Sequence, residues 1–181
     1  TFKDAEPPGP VHNCTLPFTR NVIGSMDYTP VTFTIRPENP RITTYAHELA
    51  LPVIFESGWT CMADRPEAYL HSPARKMLSR IRTTWDDIHF IAGYPGKFVC
   101  LARRAGHDWY LAAINAGTTR KVKVPLDFVR RGRYTVTLYE DDPDDPLHKL
   151  KITQSTVSSG DTLTVQLAKN GGFSTILENA Y

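Results

Sequence analysis

The chain has 181 residues, 41% of them hydrophobic, and a formal net charge of +2. This length predicts one domain or two small ones with a sizeable core, and it falls short of the ~250 residues that a closed (β/α)8 barrel takes. The small net charge argues against nucleic acid as a partner, and no apolar run approaches the ~20 residues of a membrane helix. We therefore expect an ordered globular protein whose partners are neither nucleic acids nor membranes.

The first forty residues predict mostly loop. Prolines and a glycine among the first ten residues predict an irregular segment through residue 15. Residues 16–29 carry short apolar bursts, which predict a helical turn followed by a short buried strand. Residues 31–40 are polar and contain two prolines, so we expect a loop there.

A helix is predicted over residues 43–55, because apolar side chains recur there at spacings of three and four. Thr43 or Thr44 can cap its start. Pro52 lies inside this run and should kink or end the helix, since proline lacks the N–H and crowds the preceding turn. Gly58 is the expected stop.

The next segment predicts a strand and a second helix. Residues 59–63 form a short apolar run typical of a fully buried strand. Pro66 suits the first turn of a helix, which we expect to extend through residue 81. Asp64 lies between them and either caps that helix or faces a pocket at the strand end. Helices and strands thus alternate up to residue 82.

From about residue 83 the pattern indicates strands. Residues 98–104 and 109–114 flank a short turn containing glycine, which predicts a hairpin. Three further segments alternate polar and apolar residues: 121–124, 134–138 and 163–167. Strands with one apolar face at this spacing predict an antiparallel β-sandwich. We therefore place a domain boundary between residues 82 and 83.

Two segments match part of a known metal-binding motif. His47-Glu48 matches the start of the zinc motif HExxH, but Leu51 stands where the second histidine is needed. The acidic run at residues 140–145 lacks the glycine and terminal glutamate of a calcium-binding EF-hand loop. We interpret the first as a polar pair on a helix packed against a barrel and the second as a solvated loop, so the sequence predicts no metal site.

The three cysteines are Cys14, Cys61 and Cys100. Their odd number and wide spacing argue against a disulfide framework and against a zinc ribbon. We expect free thiols, buried or partly buried, that act as small hydrophobes. The chain also lacks a GxSxG nucleophile elbow and a glycine-rich phosphate loop.

Two aspartates are candidates for lining a carbohydrate pocket. Glycoside hydrolysis needs two carboxyl groups beside the scissile bond, and barrel enzymes carry them at the C-terminal ends of strands. Asp27 and Asp64 both follow predicted strands. The alternatives are a turn-forming role for Asp27 and a helix-capping role for Asp64. Glu56 lies at the far end of the predicted helix, where we expect a structural role.

The string LPFTRNVIGSMDYTP at residues 16–30 resembles a signature of glycoside hydrolase family 97, whose members act on α-glucosides or α-galactosides. Later segments agree with that family in order and spacing over nearly the whole chain. They are AHELALPVIFESG (46–58), MADRPEAYL (62–70), TTWDD (83–87), GYPGKFVCLARRAGHDWYLAAIN (93–115) and NGGF (170–173).

The resemblance implies the last part of a three-domain enzyme with an N-terminal β-supersandwich, a central (β/α)8 barrel and a C-terminal β-sandwich. The expected fold is thus α/β plus all-β. Residues 1–82 would be the terminal βα units of the barrel, and residues 83–181 the C-terminal antiparallel β-sandwich. The family's catalytic and metal-binding carboxylates lie upstream of the LPFTR string, so no catalytic residue or metal ligand is assigned here. Arg20, Asp27 and Tyr28 fall within the signature as pocket-wall or scaffold residues.

The resemblance also implies the activity of the parent protein. It would be a calcium-dependent hydrolase of α-glucosidic or α-galactosidic bonds in an oligosaccharide or glycoside, periplasmic or extracellular in a bacterium. The present chain would be inactive alone and would bind the missing N-terminal part of the protein. The sequence leaves open the sugar and whether configuration is retained or inverted.

The alternative is a non-catalytic carbohydrate-binding or structural β-sandwich module. Its sequence signal is a set of aromatic residues that either stack on sugars or fill the core: Trp85, Tyr94, Trp109 and Tyr139.

Overall fold

The computed structural model describes residues 9–38 and 40–179. The expectation of an irregular start therefore lies outside the described residues up to residue 8. It is wrong at Pro10–Asn13, which forms helix α1 with proline at its first position, where a missing N–H breaks no helical hydrogen bond. A 3₁₀ turn at Leu16–Phe18 and helix α2, Arg20–Ile23, follow.

Helix α3 spans Tyr45–Ile54 and is buried along its whole length. Thr44 is its N-cap, and the Thr44 side chain accepts a hydrogen bond from the backbone N–H of His47 at 3.0 Å. This confirms one of the two predicted caps. Pro52 lies in the last turn of α3, and the helix ends two residues after it.

The buried strand predicted for residues 59–63 is wrong. The structure has only one parallel β-bridge there, between Tyr28 and Thr60. Trp59 is 80% exposed and Cys61 is also exposed. A central parallel strand is buried only when neighbours cover both of its faces, and no such cover is present among the described residues.

The helix predicted through residue 81 is two short helices. These are α4, Pro66–Leu70, and α5, Arg75–Leu78. Pro73 lies between them and disfavours helical geometry at Ser72, which explains the break.

Eight strands make up most of the remaining chain. Their bounds are β1 Asp87–Tyr94, β2 Phe98–Ala105, β3 Asp108–Asn115, β4 Arg120–Pro125, β5 Arg133–Asp141, β6 Leu150–Ser158, β7 Thr162–Leu167 and β8 Gly172–Asn179. One sheet has the order β1-β2-β3-β8-β5-β6, the other is the pair β4-β7, and every ladder is antiparallel.

The predicted hairpin is confirmed as β2 and β3. Its turn is closed by the pair Ala105 and Asp108, and Gly106 adopts a φ of 62°, which glycine tolerates without strain. The alternating segments at 121–124, 134–138 and 163–167 lie in β4, β5 and β7.

The six-stranded sheet is covered on both faces. On one face α3 packs across β3 and β8, and on the other lies the pair β4-β7. Successive side chains of strand β3 point to opposite faces of the sheet and so contribute to both covering layers. Tyr110 and Ile114 join the apolar cluster of α3, whereas Trp109 and Leu111 join the cluster of β4 and β7. The described fold is therefore mostly antiparallel β, with the helices gathered in the first half of the chain.

All three cysteines are free thiols, as predicted. Cys14 and Cys100 are buried, and burial raises the pKa of each to about 12. Cys61 is exposed, so the expectation of burial is wrong for it. Within the described ranges, we find no helix of the length and apolarity needed to cross a membrane.

Candidate functional site

A shallow cavity of about 410 Å³, open to solvent, lies beside the two segments that the Tyr28–Thr60 bridge joins. Asp27 is exposed and contributes to its wall, and Trp59 contributes an indole with little other contact. The full lining is Ser25, Met26, Asp27, Gly58, Trp59 and Cys61. A carboxylate accepts hydrogen bonds from hydroxyl groups, and an indole face packs on apolar surface. The wall can thus contact a polyhydroxylated ligand.

Arg20 holds the turn that leads to Asp27. Its guanidinium is exposed and donates to the backbone oxygens of Gly24 at 3.3 Å and Ser25 at 2.9 Å. Arg20 is therefore a scaffold residue in this structure.

Tyr28 points toward α3. Its half-buried ring meets Phe55 edge-to-face with 4.5 Å between ring centroids. Burial raises the pKa of the Tyr28 phenol, and the charge of Glu48 raises it further. The phenol is therefore neutral at physiological pH and packs between the bridge and the helix.

Asp64 organises the loop that follows Tyr28. Its carboxylate accepts hydrogen bonds from the backbone N–H groups of Phe33 and Thr34 and from the Thr34 hydroxyl, at 2.7–2.9 Å. Burial alone would raise the pKa of Asp64, but the hydrogen bonds from Thr34, Arg65 and Phe33 outweigh it and hold the pKa below the ordinary value. Arg65, not Asp64, is the N-cap residue of α4. Asp64 thus fixes a loop and is not among the residues lining the cavity.

Arg103 of β2 ties the sheet to the end of α3. Its buried guanidinium donates to the backbone oxygens of Val53 at 2.7 Å and Ile54 at 3.2 Å. It also lies 3.6 Å from the carboxylate of Glu56. The two backbone oxygens would otherwise be unpaired at the C-terminus of α3, where a positive charge is favoured. Glu56 therefore has the structural role predicted for it.

Asp141 joins β5 to the turn before β8. It is only 7% exposed, and its Oδ2 accepts from the backbone N–H of Ala168 at 2.7 Å and of Gly172 at 3.0 Å. Burial raises the pKa of Asp141 to about 6, although hydrogen bonds from Thr44, Ala168 and Gly172 act in the opposite direction. The prediction that residues 140–145 form a solvated loop is therefore wrong at Asp141.

Two glycines make this close packing possible. A Cβ at Gly171 would lie 2.0 Å from Oδ2 of Asp141, and a Cβ at Gly172 would lie 2.8 Å from the Cα of His47. Real side chains do not tolerate such distances. The NGGF string therefore marks the point where α3 and β8 approach each other.

His47 and Glu48 are both buried at this junction. Nε2 of His47 lies 3.1 Å from Nδ2 of Asn13, and burial lowers the pKa of His47 to about 3, so the imidazole is neutral. Glu48 accepts from the Thr43 hydroxyl at 2.6 Å and from the backbone N–H of Thr32 at 3.1 Å. The pair is polar and helical as predicted, but α3 packs against the six-stranded sheet.

The described residues offer no cluster of metal-ligating side chains. In the part of the chain that the structure describes, no three His, Cys, Asp or Glu side chains come together as ligands. Thus no chemical step is assigned to a metal held by this chain.

The aromatic residues considered as sugar platforms differ in exposure. Trp109 and Tyr139 are 6% and 3% exposed, so the core interpretation is confirmed for both. Trp85 is half-buried and meets Tyr110 edge-to-face, and Tyr94 is exposed.

Sequence reasoning missed Arg103 and Asp141. Arg103 stands in an alternating strand at a position that faces α3, and only the tertiary contact shows its partners. Asp141 lies in an acidic run, a pattern that is typical of a solvated loop and gives no sign of burial. The signal that could have found it was Gly171-Gly172, because paired glycines often mark a close backbone approach.

Comparison with known proteins places this architecture in one family. The family described as "Glycosyl-hydrolase 97 C-terminal, oligomerisation" matches residues 84–178, more than half of the chain. A "Probable retaining alpha-galactosidase" of Streptomyces bingchenggensis is 41% identical over 91% of this chain and 25% of its own length. A "Retaining alpha-galactosidase" of Bacteroides thetaiotaomicron is 28% identical over 90% of this chain and 26% of its own. The chain thus spans about a quarter of these relatives.

Solved structures agree with this assignment. A family 97 enzyme of a Pseudoalteromonas species, solved with panose, superposes with a TM-score of 0.89 and 31% identity over 99% of this chain and 30% of its own. A β-arabinopyranosidase superposes with a TM-score of 0.81 and 33% identity over 97% of this chain and 28% of its own. From the family match and these superpositions, we conclude that the chain belongs to glycoside hydrolase family 97.

Proposed function

We propose that this chain is the C-terminal part of a retaining α-galactosidase. The observation that carries the proposal is the 41% identity, over 91% of the chain, to a relative named as such an enzyme. In the retaining mechanism one carboxylate attacks the sugar and a carboxylic acid protonates the leaving oxygen. In this proposal both groups belong to the rest of the enzyme. An α-glucoside remains the second candidate substrate, which the superposition on a structure holding panose favours.

Residues 1–82 are proposed to be the terminal βα units of the catalytic barrel. The parallel Tyr28–Thr60 bridge supports this, because two parallel segments joined through helix α3 have the connection of a βαβ unit. Several apolar side chains in this half are exposed and suit contact with further barrel elements: Val22 at 72%, Ile23 at 86% and Trp59 at 80%. The proposed partner of this surface is the remaining part of the same protein.

Calcium dependence and a periplasmic or extracellular location in a bacterium belong to the same proposal. Since the described residues offer no metal site, the calcium would be held by the rest of the enzyme. The contribution of this chain is then to substrate contact at the cavity wall, through Asp27, and to support of that wall through the β-rich half.

The test is hydrolysis by the full-length enzyme of aryl α-galactoside and aryl α-glucoside, with calcium and after chelation. We expect faster cleavage of the galactoside, loss of activity after chelation, and no activity from this chain alone. Asp27→Asn should raise KM about fivefold if one hydrogen bond to substrate is weakened. Asp144→Asn is the matched exposed control and should leave KM unchanged. Absence of cleavage of both glycosides would refute the enzymatic proposal.

A further inference from the structure

Among the described residues, no strand pairs with either edge of the six-stranded sheet, and the two edges differ in the features that block pairing. Strands β1 and β6 form these edges, five strand spacings or roughly 24 Å apart. An unpaired edge presents a row of N–H and C=O groups that can pair with another chain, and natural proteins usually block such pairing. The residues of each edge therefore indicate whether another chain can pair with it.

The β1 edge carries blocking features. Its register shifts at a bulge between Phe90 and Ala92, and Asp87 places a charge near its start. Phe90 also meets Phe18 edge-to-face at 5.9 Å. The β1 edge is thus continuous with the first half of the chain, whose exposed apolar surface is proposed to meet the barrel.

The β6 edge, residues 150–158, carries few such features. Its nine residues pair with β5 in continuous register without a bulge. The sequence LKITQSTVS contains one charged residue, Lys151, which forms an ion pair with Glu140 of the neighbouring strand at 2.8 Å. Threonine, isoleucine and valine favour strands, and there is no proline. Residues 151–156 are exposed although they alternate between the two sheet faces.

We propose that the β6 edge pairs in an antiparallel sense with the β6 edge of a second copy of this chain. A two-fold axis near Gln154, the centre of the strand, would join two six-stranded sheets into one. In that arrangement Lys151 lies opposite Val157 of the other copy, so no like charges face each other. A second copy is the expected partner because the family whose description names oligomerisation matches residues 84–178, the region that contains β6. Closed two-fold symmetry is the commonest form of self-association.

The first test is the molar mass of the full-length enzyme by light scattering during gel filtration. We expect a dimer for the wild type and a twofold lower mass for Thr153→Lys/Ser155→Lys, because lysines then face each other across the axis. Ile88→Lys/Phe90→Lys on the β1 edge is the matched control and should stay dimeric. A monomeric wild type, a dimeric β6 variant, or a monomer produced by the β1 variant instead would each overturn the proposal.

A second test does not depend on a disruptive variant. Residues facing each other in an antiparallel pair have Cα atoms about 4.5–5.5 Å apart, a distance that a disulfide can span. In a Cys61→Ser background, Thr153→Cys, Gln154→Cys and Ser155→Cys should include at least one variant that forms a reducible dimer under oxidation. Cross-linking at none of the three would refute β6 pairing. Hydrolysis of the aryl galactoside is recorded in parallel, and a monomeric variant that keeps this activity separates the interface from the proposed function.

Discussion

The buried carboxyl of Asp141 should make folding stability fall as pH rises. Its pKa is raised by burial from the ordinary 3.8 to about 6. A raised carboxyl pKa means that the folded state binds its proton more tightly than the unfolded state, so stability is lost between pH 3.8 and 6 and stays lost above that range. At about 1.4 kcal/mol per pH unit, the difference corresponds to about 3 kcal/mol.

Asp141→Asn should remove this loss of stability with pH, because asparagine does not ionise, while keeping an oxygen for the N–H groups of Ala168 and Gly172. The measurement is urea unfolding of both proteins between pH 4 and pH 7.5. Relative to wild type, the variant should gain about 2.5 kcal/mol in unfolding free energy between these two pH values, because the wild-type loss has already begun at pH 4. His47 titrates with the opposite sign, because its lowered pKa adds stability as pH rises, but it is present in both proteins and cancels in the difference.

Asp144→Asn, in the loop that follows β5, is the matched control. Asp144 is exposed, so its replacement should leave the unfolding free energy within about 0.5 kcal/mol of wild type at both pH values. If Asp141→Asn also gave a pH-independent difference from wild type, burial would not be perturbing Asp141 and the reasoning would be refuted.

Two further substitutions test the junction between α3 and the sheet. Gly171→Ala should lower the unfolding free energy, measured with urea, by about 1–3 kcal/mol, because the new Cβ would collide with Asp141. Gly58→Ala is its control: no atom lies within 4 Å of the new Cβ, so its unfolding free energy should stay within about 0.5 kcal/mol of wild type. Thr44→Ala should cost about 1 kcal/mol through loss of the α3 cap and Thr44→Ser should restore it; equal stability of the two Thr44 variants would show that the cap contributes nothing.

The sequence predicts correctly those elements that are determined by residues close together in the chain. Helix α3 has apolar spacing and a threonine cap, and the β2–β3 hairpin has period-two strands and a glycine turn. The failures have non-local causes. Residues 59–63 are apolar enough for a buried strand, but burial depends on neighbours on both sides. Strand β6 is missed by pattern because polar residues on both faces remove the alternation, and only the strand order of the sheet places it at an edge.

The same limit applies to the candidate site. The sequence located Asp27 and Asp64, each after a predicted strand, but it did not distinguish a residue on a cavity wall from one that fixes a loop. That distinction depends on hydrogen bonds from Phe33 and Thr34, about thirty residues away in sequence. A carboxylate with several nearby donors is held as scaffold, whereas an exposed one remains free for a ligand.

The contacts of Arg103 show how the β-rich half can support the cavity wall. Arg103 binds the last carbonyls of α3, and two residues further the backbone oxygen of Glu56 accepts from the N–H of Met26 at 2.9 Å. Met26 precedes Asp27 and itself lines the cavity. A continuous path of hydrogen bonds and covalent backbone thus connects strand β2 to the wall. Because α3 shares one apolar cluster with β2, β3 and β8, the position of Asp27 depends on the sheet as well as on its own loop.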